Sequence, residues 1–227
     1  MDSFPAKALT DPEIFVSLLF YYGMLTIKGT FGDQLILGIP NNNVRKQYYG
    51  YLLAQYQEEK YVNLAELKTK FTYMAFEGKW EDALGHMAKA YADVSSVRDG
   101  IEAERNLQGF FMAYLSLNNY YITAPELEMS HGYCDFFLLP NLTHYDSKHS
   151  YIIELKVLSK KEWNEKVTDP ELGEVTKAEK QWNDAVKQIK QYAAAPRVEA
   201  LRQGTTLHKI IMQFEGWELK TMKEITD

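Results

Sequence analysis

The stretch that most constrains this chain is Tyr151–Leu158, which reads Tyr-Ile-Ile-Glu-Leu-Lys-Val-Leu. It is a short run of strand-forming residues between polar segments, Ser147–Ser150 before it and Ser159–Lys161 after it, and so it reads as a buried strand. Two charges interrupt it. Side chains two apart on a strand share a face, so Glu154 and Lys156 project together, roughly 7 Å apart by the usual rise per residue. Charges inside an apolar strand are costly unless they pair or bind something. The rest of the chain must supply what this pair binds.

A second strand-like run, Gly132–Leu139, lies upstream and is closed by Pro140-Asn141; its one charge is Asp135. The polar connection to the Glu154 strand is short, which favours an antiparallel hairpin and sets Asp135 beside Glu154 if the register matches. Before it, Tyr120–Thr123 and Glu126–Met129 read as a strand region broken at Pro125, and Ile101–Leu117 as a helix with an apolar stripe at Leu107, Phe110, Phe111, Tyr114 and Leu115. Glu104 sits on or beside that stripe, and position alone favours its solvent edge. After Lys156 the charged segment Lys160–Glu174 reads as a solvated loop. Glu174–Ala193 is a helix with Val175, Ala178, Trp182, Ala185, Ile189 and Tyr192 at helical spacing and Gln188 beside them. Lys209–Phe214 and Glu218–Met222 are the last strands.

The N-terminal part has a different character. Asp11-Pro12-Glu13 opens a helix that stops near Gly23, Leu25–Lys28 and Gln34–Ile39 form a hairpin, and Asn41–Asn43 opens a second helix through Val44, Tyr48 and Leu52. Helix, hairpin, helix is compatible with a winged-helix-like unit. A packing or connecting role is favoured, because the second helix offers only Arg45 and Lys46 as basic residues. Two more helices, Leu64–Phe76 and Trp80–Val97, lead to a break at Asp99-Gly100. The expected division is a mainly helical subdomain over residues 1–99 and a second domain over 100–227.

Composition removes several classes. The single cysteine, Cys134, excludes an internal disulfide and points to a reducing, cytoplasmic setting. No Cys/His cluster has zinc spacing. No apolar run approaches the ~18 residues of a membrane helix, so no membrane partner is expected, and the N-terminus lacks a signal-peptide layout. The net charge is −6, with 10 basic and 12 acidic residues before position 101 and 15 and 19 after it, so bulk charge does not drive nucleic-acid binding.

Carboxylates converging on one point repel unless a cation lies between them. With no soft ligand nearby, oxygen donors suit Mg²⁺ or Mn²⁺. An ion held by Asp135 and Glu154 could activate a water and stabilise charge on a phosphate, with Lys156 orienting that water. These parts suit phosphodiester hydrolysis. Glu-x-Lys alone is a weak signal; an aspartate about twenty residues upstream on a strand-like run strengthens it. There is no Gly-x-Ser-x-Gly, no phosphate-binding Gly-rich loop and no His-Glu-x-x-His.

At these residues the sequence resembles the PD-(D/E)xK nuclease superfamily, and more narrowly its bacterial branch found C-terminal to AAA-ATPase-like domains. The matching segments are Gly132-Tyr133-Cys134-Asp135-Phe136-Phe137-Leu138-Leu139-Pro140, Tyr151–Leu158, and Ala185-Val186-Lys187-Gln188-Ile189-Lys190-Gln191-Tyr192, with Leu19–Lys28 and Leu37–Asn41 similar to the segment preceding the nuclease domain. The resemblance implies an α/β fold, a restriction-endonuclease-like mixed sheet flanked by helices. It implies metal binding by Asp135 and Glu154, joined by Glu104 from the helix before the sheet, with Lys156 assisting the water and Gln188 as an accessory residue. DNA is the implied substrate, and an ATPase-like domain in cis or trans an implied partner. Two positions depart from the pattern: Cys134 stands where a proline is common, and Tyr133 where related chains often carry an arginine. The competing readings are a non-catalytic nucleic-acid- or protein-binding module that keeps the fold, and a purely structural Glu154–Lys156 ion pair.

Overall fold

The computed structural model describes residues 12–41, 43–45, 47–48, 64–95, 103–129 and 132–226. By its own contacts the chain divides into two units, Met1–Leu52 and Leu53–Asp227.

In the first unit, helix α1 (Pro12–Tyr21) is followed by an antiparallel hairpin of β1 (Thr26–Phe31) and β2 (Gln34–Gly38). Proline opens α1, where its missing N–H has no partner to lose. Asn41 then caps a further helical start, its Oδ1 accepting the Val44 N–H at 3.0 Å. The Tyr48 hydroxyl donates to the Met24 carbonyl at 3.2 Å and ties this turn to the start of the hairpin. The helix–hairpin–helix order is as expected; the second helix beyond Tyr48 lies outside the described residues.

The second unit is a three-layer α/β structure. Helices α2 (Leu64–Glu77), α3 (Glu81–Ser95) and α4 (Ala103–Leu115) precede strands β3 (Tyr121–Met129), β4 (Gly132–Pro140) and β5 (His149–Leu158). A short helix α5 (Lys160–Trp163) and a hairpin of β6 (Lys166–Asp169) and β7 (Gly173–Thr176) lead to α6 (Lys177–Ala193), α7 (Pro196–Arg202), β8 (Thr206–Glu215) and β9 (Glu218–Glu224). The main sheet runs β3-β4-β5-β8-β9. All neighbours are antiparallel except β5 and β8, which are parallel, so the sheet is mixed. A parallel pair needs a long crossover, and the segment from α5 to α7 provides it.

The central place of β5 explains its near-continuous apolar sequence, since it is covered on both faces. On one face, Phe137, Ile152 and Ile211 meet Ala185, Ile189 and Tyr192 of α6 and Val198 of α7. On the other, the Tyr151 hydroxyl donates to the Met74 carbonyl of α2 at 2.6 Å, and Phe111 of α4 and Tyr91 of α3 each set a ring 6.2 Å from that of Phe214. Each fully buried Phe, Leu or Ile in these layers contributes about 1.5–3 kcal/mol of transfer free energy.

By contacts the chain divides at Leu52/Leu53, and Leu67, Phe71 and Met74 of α2 and Leu84, Met87 and Tyr91 of α3 are buried in the second unit; the expected boundary at Asp99-Gly100 lies outside the described residues. Two expectations are corrected. Pro125 does not break its strand: β3 runs through it, and β3 is an edge strand, the place in a sheet where proline is tolerated. The charged segment after β5 is ordered as α5 and the β6–β7 hairpin. Ser159 and Glu162 form a capping box that starts α5, and Thr176 and Glu179 form another that starts α6.

Opposite the end of β5 that carries Glu154, a polar chain ties the α2–α3 corner to the sheet. His149 Nδ1 lies 2.9 Å from His208 Nε2, His208 Nδ1 lies 2.8 Å from Glu224 Oε1, and Trp80 Nε1 donates to Glu224 Oε2 at 3.2 Å. Gly78 makes this corner with φ of 72°, and a Cβ there would stand 2.8 Å from His149 Cε1.

Candidate active site

The hairpin of β4 and β5 brings the sequence-predicted charges together. Its paired residues are Phe136 with Ile153, Phe137 with Ile152 and Leu138 with Tyr151. One further step of that register sets Asp135 opposite Glu154. There side chains take over from the ladder. Asp135 Oδ2 accepts the backbone N–H of Leu155 at 2.7 Å, and Glu154 Oε2 lies 3.5 Å from the backbone nitrogen of Asp135 as its acceptor. Cys134 and Phe137, three residues apart, both lie in the core under α6, so strict alternation is lost between them, and Asp135 falls in that interval.

Glu154 is almost wholly buried, at 2% exposure. Its charge is met by Lys156, which donates from Nζ to Oε1 at 2.6 Å and remains partly exposed. By register Lys156 stands beside Gln213 of β8. Gln213 is in turn fixed by donating to the Ala178 carbonyl at 2.9 Å and to Gln181 Oε1 at 3.1 Å, and Gln181 donates to the Val157 carbonyl at 3.2 Å. The first turns of α6 are thus fastened to β5, which carries the lysine, and to its neighbour β8.

Burial, and after it the negative charge of Glu154, push the Asp135 carboxyl up to about 7. The Leu155 N–H, the Lys156 ammonium and the Gln108 amide pull it back without cancelling the rise. Two carboxylates whose mutual repulsion is only partly relieved are what a small divalent cation would neutralise. The donor set is all oxygen, with no thiolate or imidazole in it, which fits a hard cation. Asp135 and Glu154 are the residues that would hold it. Among the described residues no group of three or more Asp, Glu, His or Cys side chains gathers at one point.

The other two predicted positions stand differently. Glu104 lies in the first turn of α4, and its side chain is outside the described part of the structure. Gln188 of α6 donates to the Tyr192 hydroxyl and not to either carboxylate. Burial raises the pKa of the Tyr192 hydroxyl, and the charges of Glu154 and Asp135 add to the rise.

One contact had no sequence warning. Gln108, one turn after Glu104 on α4, donates from Nε2 to Asp135 Oδ1 at 2.7 Å. Its four-residue spacing from Glu104 puts both on one helix face but does not single Gln108 out.

A mixed sheet between helical layers, with an aspartate and a Glu-x-Lys meeting on adjacent strands, defines a restriction-endonuclease-like α/β protein. A family model described as the PD-(D/E)XK nuclease superfamily matches residues 102–224, more than half of the chain, and the chain belongs to that superfamily. The match starts at α4 and spans the whole sheet. No curated protein and no solved structure matches the chain significantly. Nucleases of this superfamily typically use divalent metal ions. Among the described residues no helix is long and apolar enough to cross a membrane.

Proposed function

We propose that this protein is a Mg²⁺- or Mn²⁺-dependent nuclease that hydrolyses phosphodiester bonds of DNA, with Asp135 and Glu154 as the metal-holding carboxylates. The observation that carries the reading is the convergence of those two carboxylates at the end of the β4–β5 ladder, with Lys156 bonded to one of them. When bound, a divalent cation would supply Lewis-acid stabilisation of the phosphate and an acidified water.

The chain's own residues do the rest. Asp135 must give up its proton for the ion to enter, so its raised pKa couples metal binding to pH. Lys156 uses one N–H on Glu154 and keeps two further donors for a water or a phosphate oxygen. Its charge also offsets that of the substrate backbone. The β4–β5–β8 strands and α6 hold these groups on regular structure, which keeps them in place through the reaction. Membership in the superfamily supports hydrolysis as the chemistry. DNA as substrate follows from the resemblance of the motif segments.

Labelled single- and double-stranded DNA and RNA oligonucleotides, incubated with Mg²⁺, Mn²⁺ or EDTA, test the substrate. The expected result is cation-dependent cutting of DNA with RNA cut more slowly. Preferential cutting of RNA would overturn the substrate assignment. Binding of DNA in a gel-shift assay, with no cutting in either metal, would replace the enzyme with a binding module that keeps the fold.

A further inference from the structure

Gln108 sits in the middle of α4, flanked by Leu107 and Phe111, both fully buried. That packing fixes the helix against β3 and β5 and holds the side chain on rigid structure. Its amide donates to Asp135 Oδ1 at 2.7 Å, while Oδ2 of the same carboxylate takes the Leu155 N–H at 2.7 Å. The two donors come from different elements and grip different oxygens. Together they fix the plane of the carboxylate, and each oxygen keeps a second lone pair. We propose that Gln108 is a positioning residue for the cation site, holding the Asp135 carboxylate in the orientation in which Asp135 and Glu154 bind one divalent ion together.

The inference rests on the nuclease reading above and deepens it. An ordinary core glutamine would need only some partner for its amide. This one is spent on the carboxylate that faces Glu154, and it is a neutral donor where an acid would add a further negative charge. Outer-shell donors to metal-binding carboxylates typically change affinity 10- to 100-fold when removed.

The test is Mn²⁺ binding by the full chain, read from the free-ion electron paramagnetic resonance signal at pH 8, for wild type, Gln108→Met, Gln108→Asn and Asp135→Asn. Methionine keeps the length and apolar bulk but has no donor; asparagine keeps the amide but is one methylene short of Asp135. Thermal melts in EDTA accompany each variant. The expected result is Mn²⁺ affinity weakened about 10-fold or more in both Gln108 variants, with metal-free melting within a few degrees of wild type. A merely structural glutamine would lower the melting temperature and leave affinity unchanged. If Gln108→Met fails to fold, Gln108→Asn decides. Affinity within twofold of wild type in the folded Gln108 variants, with Asp135→Asn abolishing binding, overturns this inference alone. Equal binding by wild type and Asp135→Asn overturns the metal site itself and this inference with it.

Discussion

Asp135 is the residue on which the site's electrostatics turn. Its carboxyl titrates near 7 in the folded chain and near the ordinary aspartate value when unfolded. Between those values the folded state holds more protons than the unfolded one, so the stability of the metal-free protein falls as pH rises from about 4 to about 7. Asp135→Asn removes that slope. The expected outcome is a variant that melts higher than wild type at pH 8 in EDTA, by about 2–4 °C for each kcal/mol recovered. A cation reverses the comparison, raising the melting temperature of wild type and leaving that of Asp135→Asn unchanged. Melting curves at pH 5 and pH 8, with and without Mn²⁺, check both parts, and equal wild-type and variant melting at pH 8 without metal would contradict them. Asp135, Glu154 and Lys156 were legible in the sequence because each is a charge in an otherwise apolar strand, and such charges need a reason. Gln108 was not legible. A neutral glutamine in an amphipathic helix is ordinary, and only the fold shows that it ends on Asp135.

At the scale of elements, the strands were readable and their partners only in part. Both sides of the β4–β5 hairpin are apolar runs joined by a short link, which dictates an antiparallel pair. The parallel partner of β5 lies beyond a crossover of nearly fifty residues, and nothing local specifies it. Helix α5 was hidden by charge density, although Ser159-x-x-Glu162 carries a helix-start signature. The α2–α3 corner shows how one residue can fix an element. Gly78 combines a left-handed φ with a close approach to the His149 ring, so Gly78→Ala strains the backbone and disturbs the chain from His149 through His208 to Glu224. The expected loss exceeds about 1 kcal/mol, read as a lower melting temperature with the site residues untouched. Melting identical to wild type would show that the corner tolerates a Cβ.

For the whole molecule, the placement of α2 and α3 matters most. Their apolar stripes were visible in the sequence, but a stripe does not name the surface it covers. The structure gives them to the sheet, where they bury the face opposite α6. A fragment of residues 53–227 is therefore expected to fold and melt cooperatively, whereas 100–227 would expose that face and aggregate. Circular dichroism and light scattering of the two fragments decide it; a soluble, cooperatively melting 100–227 would contradict the layer assignment. The acidic balance of the chain, −6 overall, does not favour a polyanion through bulk charge.

The central claim is that Asp135, Glu154 and Lys156 form one metal-dependent site for phosphodiester hydrolysis. Its most direct test is cleavage of plasmid and single-stranded DNA in Mg²⁺ or Mn²⁺ by wild type, Asp135→Ala and Lys156→Ala side by side. The predicted result is cation-dependent cutting by wild type that falls by at least about 100-fold in both variants, the scale of losing a group that acts on the transition state. Cutting that survives both substitutions would place the chemistry elsewhere and contradict the account.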